Sequence, residues 1–232
     1  MVDSGKTYEG EITLGFSTTT EDAGGEIVEK TALTTPFSVE EIDQAMAKMT
    51  GEITQIPPMF SAVKVNGKRL YEYARNNEQV ERPIRKAMIY SFQRTSEPVF
   101  DAANGTQSWR FKVVCGKGTY VRTLSVDTGA LLGVPAHMSY LTRTASGGLR
   151  AEQCLTLEQV AEKMADNSSE ELLLPIEIAV TQFPRIDLSE ALYQKVKNGV
   201  FLTLKELSLT EQPETLVAFF YQDQVVTLYM MH

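Results

Sequence analysis

Three short segments of this 232-residue chain hold residue types that could do chemistry together. The first, Lys6-Thr7-Tyr8-Glu9-Gly10, offers a phenol beside a cation. Alternation puts Tyr8 on the apolar side of a strand, so a core tyrosine and a tyrosine facing a pocket both remain open. The second runs from Ile56 to Arg75 and interleaves Lys64, Lys68, Arg69 and Arg75 with Tyr71 and Tyr73. Cations can contact phosphates and aromatic rings can stack on bases, although a solvated helix with packing aromatics would read the same way. The third is Gly116-Lys117-Gly118-Thr119-Tyr120-Val121-Arg122-Thr123-Leu124, two glycines feeding the start of a helix. Free amides at a helix N-terminus suit an anion, and an arginine in that first turn is disfavoured by the helix dipole. Something must therefore hold Arg122, either an ordinary surface salt bridge or a carboxylate partner of functional importance.

Other chemistries lack their parts. There is no phosphate-binding loop, dinucleotide glycine fingerprint or serine elbow. With His137 and His232 as the only histidines, a histidine-based metal cluster or Ser–His triad has little to work with. Cys115 and Cys154 show no metal-type spacing and are expected to be buried thiols, in keeping with a reducing cytoplasm. No apolar run approaches the roughly 18 residues of a membrane span, and Met1–Lys6 has no signal-peptide character. The net charge of −8 argues against a nucleic-acid partner, but its distribution does not. Residues 64–94 carry 8 basic against 3 acidic side chains and residues 112–150 carry 5 against 1, between strongly acidic ends. A basic cleft in an acidic body would suit a phosphate backbone.

The elements that must position these residues follow from periodicity. Residues 7–16 alternate as a half-buried strand, and a long polar loop follows over 17–25. Ser38 and Glu41 form a capping box ahead of Val39, Ile42, Met46 and Met49, a helix that ends at Gly51. The prolines of Ile56-Pro57-Pro58 force an extended segment, and Asn66-Gly67 is a tight turn before an amphipathic stretch at 70–75. Strands are expected near 86–95, 108–116 and 136–144. Helices are expected near 121–132, 156–166 and 169–174. Beyond Pro184 the texture changes to a helix near 189–198 and short strands around 200–204, 216–221 and 225–230.

Together with Thr18-Thr19-Thr20-Glu21-Asp22-Ala23-Gly24-Gly25 and Ala136-His137-Met138-Ser139-Tyr140-Leu141-Thr142-Arg143-Thr144, the three segments resemble the bacterial tRNA pseudouridine-55 synthases over roughly residues 5–180. The resemblance implies an α+β fold. A mixed or antiparallel central sheet with flanking helices would occupy residues 1–182, N-terminally incomplete, and a small, mostly-β, PUA-like RNA-binding module would occupy 183–232. It also implies a cytoplasmic enzyme that isomerises a T-loop uridine of tRNA without cofactor, metal or membrane, extruding the base into a pocket. Tyr8 would stack on that base and assist proton transfer. Arg122 would pair with the catalytic aspartate, and Tyr120 and Leu141 would line the pocket. Lys64, Lys68, Arg69 and Arg143 would contact RNA phosphates. The family's aspartate lies in a Gly-x-Leu-Asp-type loop ahead of the Lys-x-Tyr motif. None of Asp3, Asp22, Asp43, Asp101, Asp127, Asp166, Asp187 and Asp223 lies in such a loop. These residues alone are thus expected to be inactive, and to self-associate through uncovered sheet or core. A non-catalytic tRNA-binding or tRNA-folding module is the alternative.

Overall fold

Alternating apolar residues build a sheet whose buried face carries the site. The structure, a computed structural model, describes residues 5–165 and 172–230. In strand β1 (Lys6–Leu14) Gly10, Ile12 and Leu14 are buried and Glu9 is exposed. The expected strand stops two residues early because Gly15, at φ +112°, breaks the run. Phe16–Thr18 then forms β2, which pairs with β3 (Ile27–Lys30), so the expected loop is a short hairpin. Its polar tip hid the pairing.

The capping box is as expected. Ser38 accepts from the Glu41 amide and Glu41 accepts from the Ser38 amide, opening α1 (Val39–Lys48). Next come β4 (Gly51–Gln55), too short and polar to read from sequence, and the hairpin β5 (Lys64–Val65) and β6 (Lys68–Arg69). Asn66 and Gly67 make its turn with φ of 51° and 83°, the left-handed pair that a two-residue hairpin requires. The chain continues through α2 (Leu70–Arg75), β7 (Arg85–Arg94), β8 (Val99–Asp101), β9 (Thr106–Cys115), α3 (Val121–Leu131) and β10 (Ala136–Ser146).

The strands lie in the order β10-β1-β9-β7-β4, with β8 on β9, and each of these pairs is antiparallel. One face collects Ile12, Leu14, Trp109, Phe111 and Val113 with Ile42 and Met46 of α1 and Val121 and Leu124 of α3. Burying each such side chain contributes roughly 1.5–3 kcal/mol. Helix α3 lies close on β10: a Cβ on Gly129 would sit 2.4 Å from the Ala136 Cβ. That contact fixes the height of the helix whose first turn carries Arg122.

The described residues up to Gly147 form one compact unit and those from Gly148 a second. The second contains β11 (Leu149–Arg150), α4 (Leu157–Ala165), β12 (Arg185–Asp187), α5 (Glu190–Lys197), β13 (Val217–Tyr221) and β14 (Gln224–Tyr229). Strand β12 runs parallel to β13, and β14 antiparallel to it, over a small core of Leu188, Leu202, Leu207, Val217 and Phe219. Half of the helix expected at 169–174 lies outside the described residues, and Leu173 and Leu174 in the other half are exposed and not helical. Two further expectations fail. Residues 200–204 do not form a strand: the Thr203 amide donates to Glu206 at 2.8 Å, the Glu206 amide donates back to the Thr203 hydroxyl at 3.3 Å, and a turn results. Local side-chain bonds outcompete the β-propensity there. Cys115 is buried as expected, but Cys154 is exposed, following a 3-10 turn where Leu155 is exposed too.

Candidate active site

Arg122 gathers the site. Its helix begins abruptly: Gly118 turns at φ +84°, Thr119 donates to the Gly116 carbonyl at 3.0 Å, and Tyr120 takes the N-cap position without a side-chain cap of its own. No acidic residue lies in the first turn to offset the helix dipole. The guanidinium finds its acceptors elsewhere. It donates to the Thr20 carbonyl and the Phe60 carbonyl, each at 2.9 Å, and meets the Asp22 carboxylate at 3.3 Å. Two loops far apart in sequence are thus tied to one helix start.

The loop that presents Asp22 is itself fixed at several points. The Thr20 hydroxyl and the Gly24 amide donate to the Asp22 carboxylate at 2.6 and 3.1 Å. Met138 of β10 donates to the Glu21 carbonyl and accepts from the Ala23 amide. Glu21 sits at φ +64° and accepts from the Thr123 hydroxyl at 2.7 Å. Burial pushes the Glu21 carboxyl above its ordinary range, against the Thr123 bond and the charges of Arg122 and Arg82. Asp127, one turn further along α3, is also raised by burial. Neither Asp22 nor Glu21 was singled out from sequence, although the Thr18-x-Thr20-x-Asp22 spacing holds the local hydrogen-bonding pattern.

Tyr8 lies on the core face of β1, half-buried, opposite Val113 on one side and Arg143 on the other. Burial raises its hydroxyl above the usual phenol value, the nearby Cys115 adds to this, and a hydrogen bond with Arg143 opposes it. The shift favours the protonated phenol, whose hydroxyl can both donate and accept a hydrogen bond. Leu141 stands opposite Gly10 and packs against the same core. Strand β9 ends at Cys115, opposite Lys6, and leads directly into the Arg122 helix.

Tyr120 is held by its backbone. The Gln55 side chain accepts from the Tyr120 amide at 3.0 Å and donates to its carbonyl at 3.1 Å. Of the expected phosphate-binding cations, Lys64, Lys68 and Arg69 lie on the β5–β6 hairpin, whereas Arg143 is on β10 opposite Tyr8. Lys64 is exposed beside a groove of about 610 Å³ that Arg82 and Arg85 also line. Lys68 pairs with Glu78 at 2.7 Å and lies over the Tyr73 ring. Arg69 donates to the Tyr71 hydroxyl at 3.1 Å, and Arg75 faces the same ring. Among the described residues no cluster of three or more His, Cys, Asp or Glu could hold a metal ion, and no helix is long and apolar enough to cross a membrane.

The sequence matches two family models: TruB family pseudouridylate synthase (N terminal domain) over residues 1–121, and tRNA pseudouridylate synthase B C-terminal domain over residues 122–181. It is 51% identical over 230 residues to a tRNA pseudouridine synthase B of Lactiplantibacillus plantarum, covering 99% of this chain and 75% of that one. The protein of that name from Streptococcus mutans is 52% identical over 228 residues, again 75% of its length. In fold, the chain is similar to one in a Cbf5-Nop10-Gar1 complex, with a TM-score of 0.67 and 24% identity, and spans 61% of that chain. A chain in an H/ACA RNP bound to a substrate RNA matches with a TM-score of 0.65 and 21% identity.

Proposed function

Since the chain belongs to the TruB family of pseudouridylate synthases, we propose that its site receives an extruded T-loop uridine, position 55, of tRNA. The reaction of such a site breaks the N1–C1′ glycosidic bond, rotates the uracil and joins C5 to C1′; C5 gives up its proton and N1 takes one up, so the product is an isomer. No redox change is involved, so no electron-carrying cofactor is required. Tyr8 stacks on the base and assists proton transfer during the exchange. Tyr120 and Leu141 close the pocket around it. Extrusion costs a few kcal/mol, which stacking and polar contacts offset.

Arg122 carries the proposal. A guanidinium fixed by two carbonyls and a carboxylate cannot swing away, so it presents a constant positive field to an aspartate brought beside it and keeps that carboxylate ionised. The 232 residues contain no Gly-x-Leu-Asp-type loop. The share of the reaction proposed for these residues is to grip and stack the target and to orient that aspartate; without it, loss of a central nucleophile would cost ~10⁴-fold or more. Lys64, Lys68, Arg69 and Arg143 hold T-arm phosphates. In the same proposal residues 1–182 make the catalytic region, and 183–232 act as a small PUA-like module adding RNA contacts. The setting is the cytoplasm. Self-association would use the sheet side where Met88 and Tyr90 of β7 are exposed.

Binding and turnover are separable by experiment. A T-arm stem-loop with its target uridine should bind this polypeptide more tightly than the same stem-loop made abasic there. Carbodiimide-based primer extension should find no pseudouridine in the bound RNA. Equal affinity for the two RNAs would overturn the pocket, and product would overturn the predicted inactivity. A non-catalytic tRNA-folding role is the second reading. It gains only if RNA lacking the target base is bound and refolded as well as RNA that has it.

A further inference from the structure

Helices α1 and α5 are capped by their own serines: Ser38 and Ser189 each accept an amide of the first turn. Helix α3 has a tyrosine at that position and no side-chain cap. Its N-cap peptide is satisfied from a distance. Gln55 is 2% exposed, and its amide takes up both the N–H and the C=O of Tyr120, at 3.0 and 3.1 Å. The Tyr120 carbonyl also accepts the first helical bond, from Leu124 at 3.0 Å. The start of α3 is therefore set against the end of β4, not by its own sequence.

Gln55 directly precedes Ile56-Pro57-Pro58, and Phe60 at the end of that stretch accepts from Arg122 at 2.9 Å. Tyr120 and Arg122 are two residues apart. A closed ring results: Gln55 side chain to Tyr120 backbone, Arg122 guanidinium to Phe60 carbonyl, and a proline-stiffened stretch back to Gln55. Two cross-links fix a distance and an orientation. One alone would fix the spacing of the helix start from the 56–60 segment but not its orientation to that segment.

From this we infer that Gln55 is a positioning residue for the base pocket, setting the Tyr120 and Arg122 side chains against the 56–60 segment; the inference rests on the reading of the site as a uridine pocket. A purely structural role for such an amide is represented elsewhere in the same unit. Gln107, also 2% exposed, holds the Phe37 backbone in the same two-bond manner, at 2.9 and 3.0 Å. Phe37 leads into α1, which bears none of the proposed site residues. The two glutamines thus share burial and bonding and differ in what they hold.

The test compares Gln55→Leu with Gln107→Leu. Each should lower the midpoint of thermal unfolding, because each leaves a buried peptide group unpaired. Affinities are then measured for the T-arm stem-loop and for its abasic counterpart. In Gln55→Leu the preference for the uridine-bearing RNA should fall by about tenfold, the loss expected for a misplaced buried polar contact, while affinity for the abasic RNA holds. In Gln107→Leu the preference should be unchanged. Gln55→Glu keeps an acceptor for the Tyr120 amide and loses the donor to its carbonyl, so its preference should fall part of the way. Should either leucine variant fail to fold, the Gln55→Glu and Gln107→Glu pair decides the question alone. An unchanged preference in the Gln55 variants, or an equal fall in the Gln107 variants, overturns the positioning role. Absence of any preference in the wild-type chain would instead overturn the uridine-pocket reading on which it rests.

Discussion

Arg122 and the cations of the basic hairpin and its following helix all belong to the proposed site, yet they are held by opposite means. Arg122 is mostly buried, and its three acceptors lie 62 to 102 residues away in sequence. The cations at 68–75 are satisfied within their own neighbourhood: Lys68 by Glu78 ten residues on, and Arg69 and Arg75 around the Tyr71 ring. A charge fixed by distant segments reports the tertiary fold and cannot move without disturbing it. A charge fixed locally can be exchanged for a phosphate at the small cost of one solvent-screened pair. The first arrangement suits a reaction centre and the second an adaptable grip.

The largest effect should come from breaking the first arrangement. Arg122→Met removes the link between two loops and α3 and leaves the Thr20 and Phe60 carbonyls without it. Urea unfolding should show a loss of about 2 kcal/mol, at the modest end for three bonds because the side chain is not fully buried. Preference for the uridine-bearing RNA should vanish with it. Arg122→Lys should recover little, since a single ammonium cannot reproduce a planar fork that reaches both carbonyls. Full retention of stability by the methionine variant would mean the three contacts are incidental.

The same contrast explains what the sequence revealed. The Ser38–Glu41 capping box, the Asn66-Gly67 turn and the alternation in β1 and β9 are local patterns, and each forms the element its pattern implies. Tyr8, Tyr120 and Arg122 were singled out because their segments resemble a family's motifs. Their partners were not legible. The Thr18-x-Thr20-x-Asp22 spacing marks a fixed loop but not its target, and nothing local marks Gln55, because the Arg122 and Tyr120 they serve lie 100 and 65 residues further along the chain. Arginine at the wrong end of a helix dipole did signal that a partner must exist, but not which one. Cys154 and residues 200–204 misled for the converse reason: apolar composition was read as burial or strand where local hydrogen bonding made a turn.

A smaller effect should appear at Glu21, which belongs to the Arg122 side of the comparison. Its folded carboxyl is raised above the ordinary value of 4.5 by burial. From 4.5 upward through the folded titration, the native state still holds a proton that the unfolded state has lost. The Glu21 contribution to stability therefore declines as pH rises through that window. Glu21→Gln keeps an acceptor for Thr123 and removes the titration. The wild-type stability minus that of the variant should fall with increasing pH, leaving the variant at least as stable at neutral pH. A variant less stable than wild type at pH 7 would show instead that the charge of Glu21 is needed beside Arg122 and Arg82.

The smallest effects test the local grip. If Lys64 meets a phosphate, Lys64→Ala should reduce the slope of log affinity against log salt by about 1, uniformly across RNA sequences. Lys68 should behave differently. Its ammonium is already bonded to the Glu78 carboxylate, which that bond holds below its ordinary range. Binding RNA then exchanges one anion for another, and fewer counterions are released. Lys68→Ala should accordingly change the slope by less than Lys64→Ala does. Glu78→Gln should steepen the wild-type dependence by giving Lys68 its full share, and in that background Lys68→Ala should cost the full unit. Equal slopes for Lys64→Ala and Lys68→Ala in the wild-type background would mean the ion pair opens freely, and that local pairing does not ration charge for the RNA.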